Sequence, residues 1–270
     1  MRKYPYRFKT ISKVVLSPRN QHAFYADAGD FTQPQLKPFF SDSKDHDAIH
    51  RTNIIYPFYQ YGDYASFDPK RTFYYVPGSS IKGVVLSLIQ QSMRPKMLVD
   101  DINVHYENIK LNTLYKLQNT SKLTDEKVVL EPFFPNVAIE MIEQGCELQS
   151  EIICAGEIEG YLHSAQTDTM KKLEQFIVKL DSAIEQVAED KIELNEQLAC
   201  LRSNTLEIFH SIREERKGIY TLLLGGFKGL ALSGVFSNAD FSDTDSAIYI
   251  DTATYLPYGI IEITLLVEKL

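Results

Sequence analysis

The stretch FYYVPGSSIKGVVLSLIQQ, Phe73 to Gln91, contains a change of hydrophobic period around which the rest of the chain can be read. Its apolar run ends at Val76 and predicts a strand. Helical spacing then connects the next apolar residues, which are Ile81, Val84, Val85, Leu88 and Ile89. The Pro-Gly-Ser-Ser turn between the two patterns predicts a strand-to-helix connection with Ser79 or Ser80 as the helix N-cap.

This turn could also hold an anion. A helix that begins here directs free backbone N–H groups and the positive end of its dipole toward a ligand. Gly78 permits close backbone approach, and Lys82 adds a positive charge in the first turn. Capping alone accounts for the serines, so both interpretations stay open.

Composition predicts a globular protein of one large domain or two small ones, because 270 residues with 44% apolar side chains can bury a substantial core. The apolar runs are too short for a signal peptide or a membrane span, so we expect a cytoplasmic protein that does not enter a membrane. The three cysteines show no CxxC spacing and indicate reduced thiols.

The net charge of −8 is unevenly distributed. Residues 1–135 contain 18 Lys and Arg against 13 Asp and Glu, whereas residues 136–270 contain 10 against 23. The first nineteen residues hold six basic groups, Arg7 and Lys9 among them, and no acid. Because tyrosine and phenylalanine lie between these cations, the segment could bind RNA by neutralising phosphates and stacking on bases. An edge strand protected by basic residues is the alternative.

Alternation in YRFKTISKVVL predicts a first strand with Tyr6, Phe8 and Thr10 on one face. Two further strand patterns cover residues 108–120 and 127–135. Gly145 then marks a predicted hairpin between two more strands.

A helical period continues from residue 166 to residue 217 and predicts two helices that are separated near Asp190 or Ser203. We expect this pair to cover the protein's own sheet. A coiled coil or a helix that binds a partner is the alternative.

The order of these elements predicts an α+β fold of two ferredoxin-like halves. The halves would be domains at residues 1–135 and 136–270. The second domain would carry a helical insertion at 166–217 and a glycine-rich loop at 225–229.

The glycine-rich loop, Gly225-Gly226-Phe227-Lys228-Gly229, also follows an apolar strand and also contains one lysine. It lacks the spacing of a Walker loop or of a dinucleotide-binding turn, which argues against a nucleotide hydrolase. The loop could follow a polyphosphate chain or form a tight hairpin.

Two segments contain candidate catalytic or metal-binding residues. Asp27 and Asp30 could bind a divalent ion or orient a hydroxyl during RNA cleavage, although solvated loop acids explain them equally. His46 and His50 lack an evident third ligand, so no metal site and no cofactor are expected.

The chain resembles the RAMP (repeat-associated mysterious protein) superfamily of CRISPR effector subunits. YVPGSSIKGVV is similar to its strand-turn-helix signature, and LLLGGFKGLALSG is similar to its late glycine-rich loop. LTDEK, NVAIEMIEQGCELQSEI and YLPYGIIEITL are similar to segments of the subunit that ends the backbone filament in type III-A (Csm) complexes. By position, the signature assigns RNA-contacting roles to Gly78, Ser79, Ser80, Lys82 and Gly83, and the loop assigns them to Gly225, Gly226, Lys228 and Gly229.

The resemblance implies a double ferredoxin-like fold and a structural, non-catalytic subunit of an antiviral ribonucleoprotein. Such a subunit caps the three-prime part of the guide RNA (crRNA) without base specificity. It contacts neighbouring backbone and small helical subunits and assists guide maturation by recruiting host nucleases. Two alternatives stay open: an endoribonuclease that uses Asp27 or Asp30, and a scaffold that binds a protein through residues 166–217.

Overall fold

A computed structural model describes residues 1–18, 22–41, 52–119, 128–134, 136–214, 216–233 and 248–266. The helices are α1 (Gln33–Leu36), α2 (Gly78–Val85), α3 (Ile158–Gln186), α4 (Ile192–Arg213) and α5 (Gly229–Ser233). The strands are β1 (Arg2–Thr10), β2 (Asn53–Tyr56), β3 (Tyr74–Val76), β4 (Met97–Val99), β5 (Ile102–Val104), β6 (Ile109–Asn112), β7 (Tyr115–Asn119), β8 (Val128–Pro132), β9 (Val137–Ile142), β10 (Glu147–Cys154), β11 (Ile219–Leu223), β12 (Ile248–Ile250) and β13 (Ile260–Leu265).

The main sheet has five strands in the order β11-β13-β1-β10-β4, and every neighbouring pair is antiparallel. Without the edge strand β11, the elements β1, α2, β4, β10, α3 and β13 follow the ferredoxin-like β-α-β-β-α-β order, in which β10 separates the parallel strands β1 and β4. The predicted α+β class is confirmed. Because β1 lies between two strands from the second half of the chain, the ranges 1–135 and 136–270 share this sheet.

The first core cluster lies between the main sheet, α2 and the start of α3. Tyr6 and Phe8 are fully buried here, as is Ile152 on the neighbouring strand β10. Arg7 and Lys9 are only partly buried, so the alternation in β1 does separate a core face from an outer face. The outer face of the main sheet is the side that carries Arg7 and Lys9.

The second core cluster joins the remainder of α3, α4 and a three-stranded sheet in the order β12-β7-β8. Phe176 and Leu201 are fully buried against Leu117 and Ile248. The helix pair therefore covers the protein's own strands, and its break at residues 187–191 confirms the predicted separation near Asp190. None of the helices among the described residues is long and apolar enough to span a membrane.

The predicted hairpin at Gly145 was wrong. Gly145 has a positive φ of 81°, as a turn requires, but β9 pairs with β2 and β6 whereas β10 pairs with β1 and β4. The predicted hairpin is therefore a crossing between two sheets. The residues on both sides find partners at least 27 positions away in the chain, which a local turn pattern cannot specify.

Candidate nucleic-acid interface

The turn that enters α2 is shaped by packing against β4. The N-cap residue is Pro77 and not Ser79 or Ser80, because the helix already begins at Gly78, and no side chain caps it. A Cβ atom on Gly78 would lie 2.0 Å from the carbonyl oxygen of Val99. Glycine is therefore required here by the chain's own backbone.

The first free N–H group of α2 already has an anionic partner. Gly78 N–H donates to Asp101 Oδ1 at 2.7 Å, and the Tyr61 hydroxyl donates to Asp101 Oδ2 at 2.8 Å. The carboxylate thus occupies the position at this N–H group where a bound anion was one of the two open interpretations. It also raises the pKa of Tyr61 to about 12, chiefly through the hydrogen bond, so Tyr61 stays a hydroxyl donor at neutral pH.

The other residues of this segment divide into anchored and open positions. Lys82 Nζ donates to the carbonyl oxygen of Met97 at 2.8 Å and ties α2 to the edge strand β4. Ser79 and Gly83 are exposed, and Ser80 is half-buried. A Cβ atom on Gly83 would meet nothing within 4 Å, so no contact with the described residues explains a glycine there.

The glycine-rich loop is held against the chain that follows β1. Gly225 has φ of 87°, and a Cβ atom on it would lie 2.3 Å from the carbonyl oxygen of Val15. Gly226 N–H donates to the same oxygen at 2.9 Å. Gly229, with φ of 74°, begins α5. The loop therefore needs glycine for left-handed backbone and close approach.

Phe227 fastens this loop from the other side. It has φ of 52°, unusual for a residue with a side chain. Its ring packs edge to face against Tyr56, Phe133 and Tyr249, with centroids 4.9 to 6.1 Å away. Lys228 is half-buried, and its Nζ reaches the carbonyl oxygen of Leu223 at 3.5 Å.

The cations of β1 are matched by carboxylates of β10. Lys9 Nζ lies 3.0 Å from Glu147 Oε1, and Arg7 Nη1 lies 3.8 Å from Glu147 Oε2. The hydrogen bond from Lys9, with its charge, lowers the pKa of Glu147. Lys3 pairs with Glu151 in the same way, at 2.9 Å. Part of the positive charge that suggested an RNA-binding strand is therefore used within the sheet.

The two candidate catalytic acids lie in a turn. Asp27 is exposed. Asp30 Oδ2 accepts the backbone N–H of Tyr25 at 2.8 Å and thereby closes the turn. Within the described ranges no three His, Cys, Asp or Glu side chains come together as a metal site would require. His46 and His50 lie outside the described residues.

An exposed aromatic surface had not been predicted. Phe73 is 76% exposed and Tyr61 is 48% exposed, and both lie beside the half-buried Tyr59 and Tyr75. These four residues are called the aromatic face below. The FYYV alternation was the available signal, because Tyr74 and Val76 are buried while Phe73 and Tyr75 point outward.

No protein-family model matches the chain, and no curated protein matches its sequence. Solved structures do match. One is a chain of the Csm–crRNA–target RNA ternary complex of a type III-A CRISPR-Cas system, with 11% identity and a TM-score of 0.52, covering 97% of this chain and 100% of that chain. Another is Csm5 of T. onnurineus, with 10% identity and a TM-score of 0.34, covering 94% and 99%. The first likeness shows a common fold over nearly the whole chain.

Proposed function

We propose that this protein is a structural, guide-RNA-binding subunit of a type III-A CRISPR effector complex, located at the end of the backbone filament. The observation that carries the proposal is the fold shared along 97% of this chain with a chain of a Csm–crRNA–target RNA complex. The subunit would cap the three-prime part of the guide RNA in a cytoplasmic complex.

The two glycine segments support this function. Gly78 and Gly225 both lie where a Cβ atom would collide with a main-chain carbonyl, so both turns pack tightly against neighbouring backbone, that of β4 for Gly78 and that of Val15 for Gly225. Each turn is followed by a lysine, Lys82 or Lys228, and each ammonium group contacts a main-chain carbonyl oxygen. Tightly packed backbone with nearby cations suits a phosphate backbone and does not discriminate between bases.

A non-catalytic role fits the geometry of the acidic turn. Asp30 closes its own turn, and Asp27 faces solvent. The partners would be the guide RNA, neighbouring backbone subunits and small helical subunits. Recruitment of host nucleases would assist guide maturation. The helical scaffold function has less support, because the buried faces of α3 and α4 pack on the protein's own strands.

Crosslinking tests the position on the guide. Effector complexes are assembled around guides that carry one 4-thiouridine, either near the three-prime end or near the five-prime end. We expect crosslinks to this protein from the three-prime probe only. Crosslinks from the five-prime probe only would overturn the proposal. So would the finding that the guide and the other subunits assemble equally well when this protein is left out.

Lysine substitutions test the RNA contacts. In binding of single-stranded RNA, Lys82→Ala and Lys228→Ala should each reduce the slope of log affinity against log salt by about 0.7, with little dependence on sequence. Lys171→Ala, which removes an exposed lysine of α3, is the matched control and should leave the slope unchanged. Equal slopes for all three variants would remove these lysines from the interface.

A further inference from the structure

We infer that the aromatic face is a stacking surface for unpaired bases of a single-stranded RNA. This inference deepens the proposed RNA-binding function and rests on it. The surface lies beside the entrance to α2, but neither the glycine turn nor the glycine-rich loop contributes to it.

The aromatic face is built on a small sheet. Residues 59–61 run antiparallel to β3, since Tyr61 N–H donates to the Phe73 carbonyl and Tyr75 N–H donates to the Tyr59 carbonyl, each at 3.0 Å. On the other side β3 pairs with β5, where Tyr75 lies opposite the exposed Asn103. The alternation of strands therefore brings all four aromatic residues to one side.

The inner side of this sheet is anchored in the core. Gln60, Tyr74 and Val76 are buried beneath the aromatic face. The Tyr74 hydroxyl donates to Glu140 Oε1 at 2.6 Å. A stacking surface needs such support, because a ring that is already fixed loses less entropy when a base binds.

The rings themselves are arranged for stacking. Tyr61 and Tyr75 are parallel, with centroids 4.1 Å apart and planes inclined by 11°, and Tyr59 adds a tilted ring 5.8 Å from Tyr75. The hydrogen bond to Asp101 fixes the hydroxyl end of Tyr61. Phe73 has no ring partner within the described part of the chain and exposes most of its surface. An aromatic ring left open beside a fixed stack can receive a base.

Charge beside the aromatic face favours RNA as the occupant. Lys70 and Arg71 are exposed on the 3₁₀ turn Pro69–Arg71, and neither forms an ion pair with a described carboxylate. Arg71 lies two residues before Phe73 in the chain. Asp101 and the exposed Asp63 add negative charges, but Asp101 accepts the N–H of Gly78 at the positive end of α2. A basic protein segment is the competing occupant.

A single tryptophan provides a local probe, because the chain contains no tryptophan. Phe73→Trp places the indole on the aromatic face, and Val178→Trp places it at a position of α3 that is 64% exposed. Oligouridine and oligoadenosine of twelve nucleotides are titrated against both variants, and electrophoretic mobility reports total binding. We expect the emission of Phe73→Trp to be quenched in parallel with the mobility shift and that of Val178→Trp to stay constant.

Affinity measurements complete the test. Phe73→Ala should bind these RNAs about 5- to 150-fold more weakly, the range that one stacked base contributes. Lys70→Ala should lower the salt slope by about 0.7. Emission of Phe73→Trp that is unchanged at saturating RNA would overturn the inference while leaving the proposed function intact. The inference would also be wrong if the emission of Phe73→Trp changed on addition of the neighbouring protein subunits and not on addition of RNA. If the wild-type chain binds no RNA, alone or in the assembled complex, the proposed function itself is wrong.

Discussion

Asp101 accepts the backbone N–H of Gly78 at 2.7 Å, so a carboxylate of the same chain neutralises the start of α2. The second oxygen of this carboxylate accepts the Tyr61 hydroxyl. One acidic side chain thus links the glycine turn to the aromatic face, and both surfaces depend on its position.

Replacement of Asp101 should therefore destabilise the protein. Asp101→Ala removes both hydrogen bonds, and we expect a loss of about 1 to 3 kcal/mol in the free energy of unfolding. Asp101→Asn keeps one acceptor and should lose less. Chemical denaturation measures the free energy of unfolding of both variants. Asp100→Asn, which changes the exposed neighbouring carboxylate, is the control and should change stability by less than about 0.5 kcal/mol. Equal stability of Asp101→Ala and wild type would contradict the role of this carboxylate.

Two glycines of α2 should respond to alanine in opposite ways. Gly78→Ala places a Cβ atom 2.0 Å from the Val99 carbonyl oxygen and should cost about 3 kcal/mol, as overpacking does. Gly83→Ala enters open space in an exposed turn of helix and should stabilise the protein by up to about 1 kcal/mol. Thermal unfolding separates the two. If Gly83→Ala is stable but binds RNA more weakly, the glycine at 83 serves the ligand.

Glu140 should make stability depend on pH. Burial raises the pKa of this carboxyl to about 7, although hydrogen bonds from Tyr74 and from the Phe58 N–H lower it. Its unfolded pKa is near 4.3, so the folded protein binds more protons between the two values. The stabilising contribution is complete below about pH 4 and is lost as pH rises through 7, a change of about 4 kcal/mol.

Denaturation curves measured from pH 4 to pH 8 test this dependence. Glu140→Gln cannot titrate, so it should flatten the fall in stability over that window. Glu151→Gln, which changes a carboxylate on the outer face of the main sheet, should leave the fall in place. A wild-type curve without any fall through pH 7 would show that Glu140 is not protonated in the folded state.

Replacing one partner of the buried ion pair between Lys13 and Asp251 should strongly destabilise the protein. The two atoms Nζ and Oδ1 are 3.1 Å apart, both side chains are 5% exposed, and Lys13 also donates to Asn112 at 2.8 Å. Lys13→Met leaves Asp251 buried without its cation and should cost about 3 to 5 kcal/mol. The double variant with Asp251→Asn should recover part of this loss. Additive losses in the double-mutant cycle would mean that the two groups do not interact.

The acidic turn should be dispensable for RNA cleavage by the assembled complex. Because we propose a non-catalytic subunit, Asp27→Ala and Asp30→Ala should leave the rate and spacing of target cleavage unchanged, which gel analysis of labelled target RNA measures. Asp30→Ala should still lower stability slightly, since it removes the acceptor of the Tyr25 N–H. A loss of metal-dependent cleavage in either variant would favour the endoribonuclease.

Local features of this protein could be read from its sequence because they depend on neighbours within a few residues. The alternation of Tyr6 and Phe8 identified a strand and its two faces, and the helical period identified the pair α3 and α4. The glycine turns before α2 and α5 were located for the same reason, since Gly78 and Gly225 each lie two residues after the end of a strand. The α+β class followed from the order of these elements.

The tertiary structure decided which of these local pieces meet. Glu147 lies across the sheet from Lys9, 138 positions away in the chain, and removes part of the positive character that the first strand had suggested. Asp101 accepts the N–H at the start of α2 and fixes the Tyr61 hydroxyl, and no spacing in the sequence predicts these two contacts. Such pairings depend on register between distant strands, and many registers satisfy the same local pattern. Only folding therefore shows which charges are already matched and which aromatic rings stay exposed for a ligand.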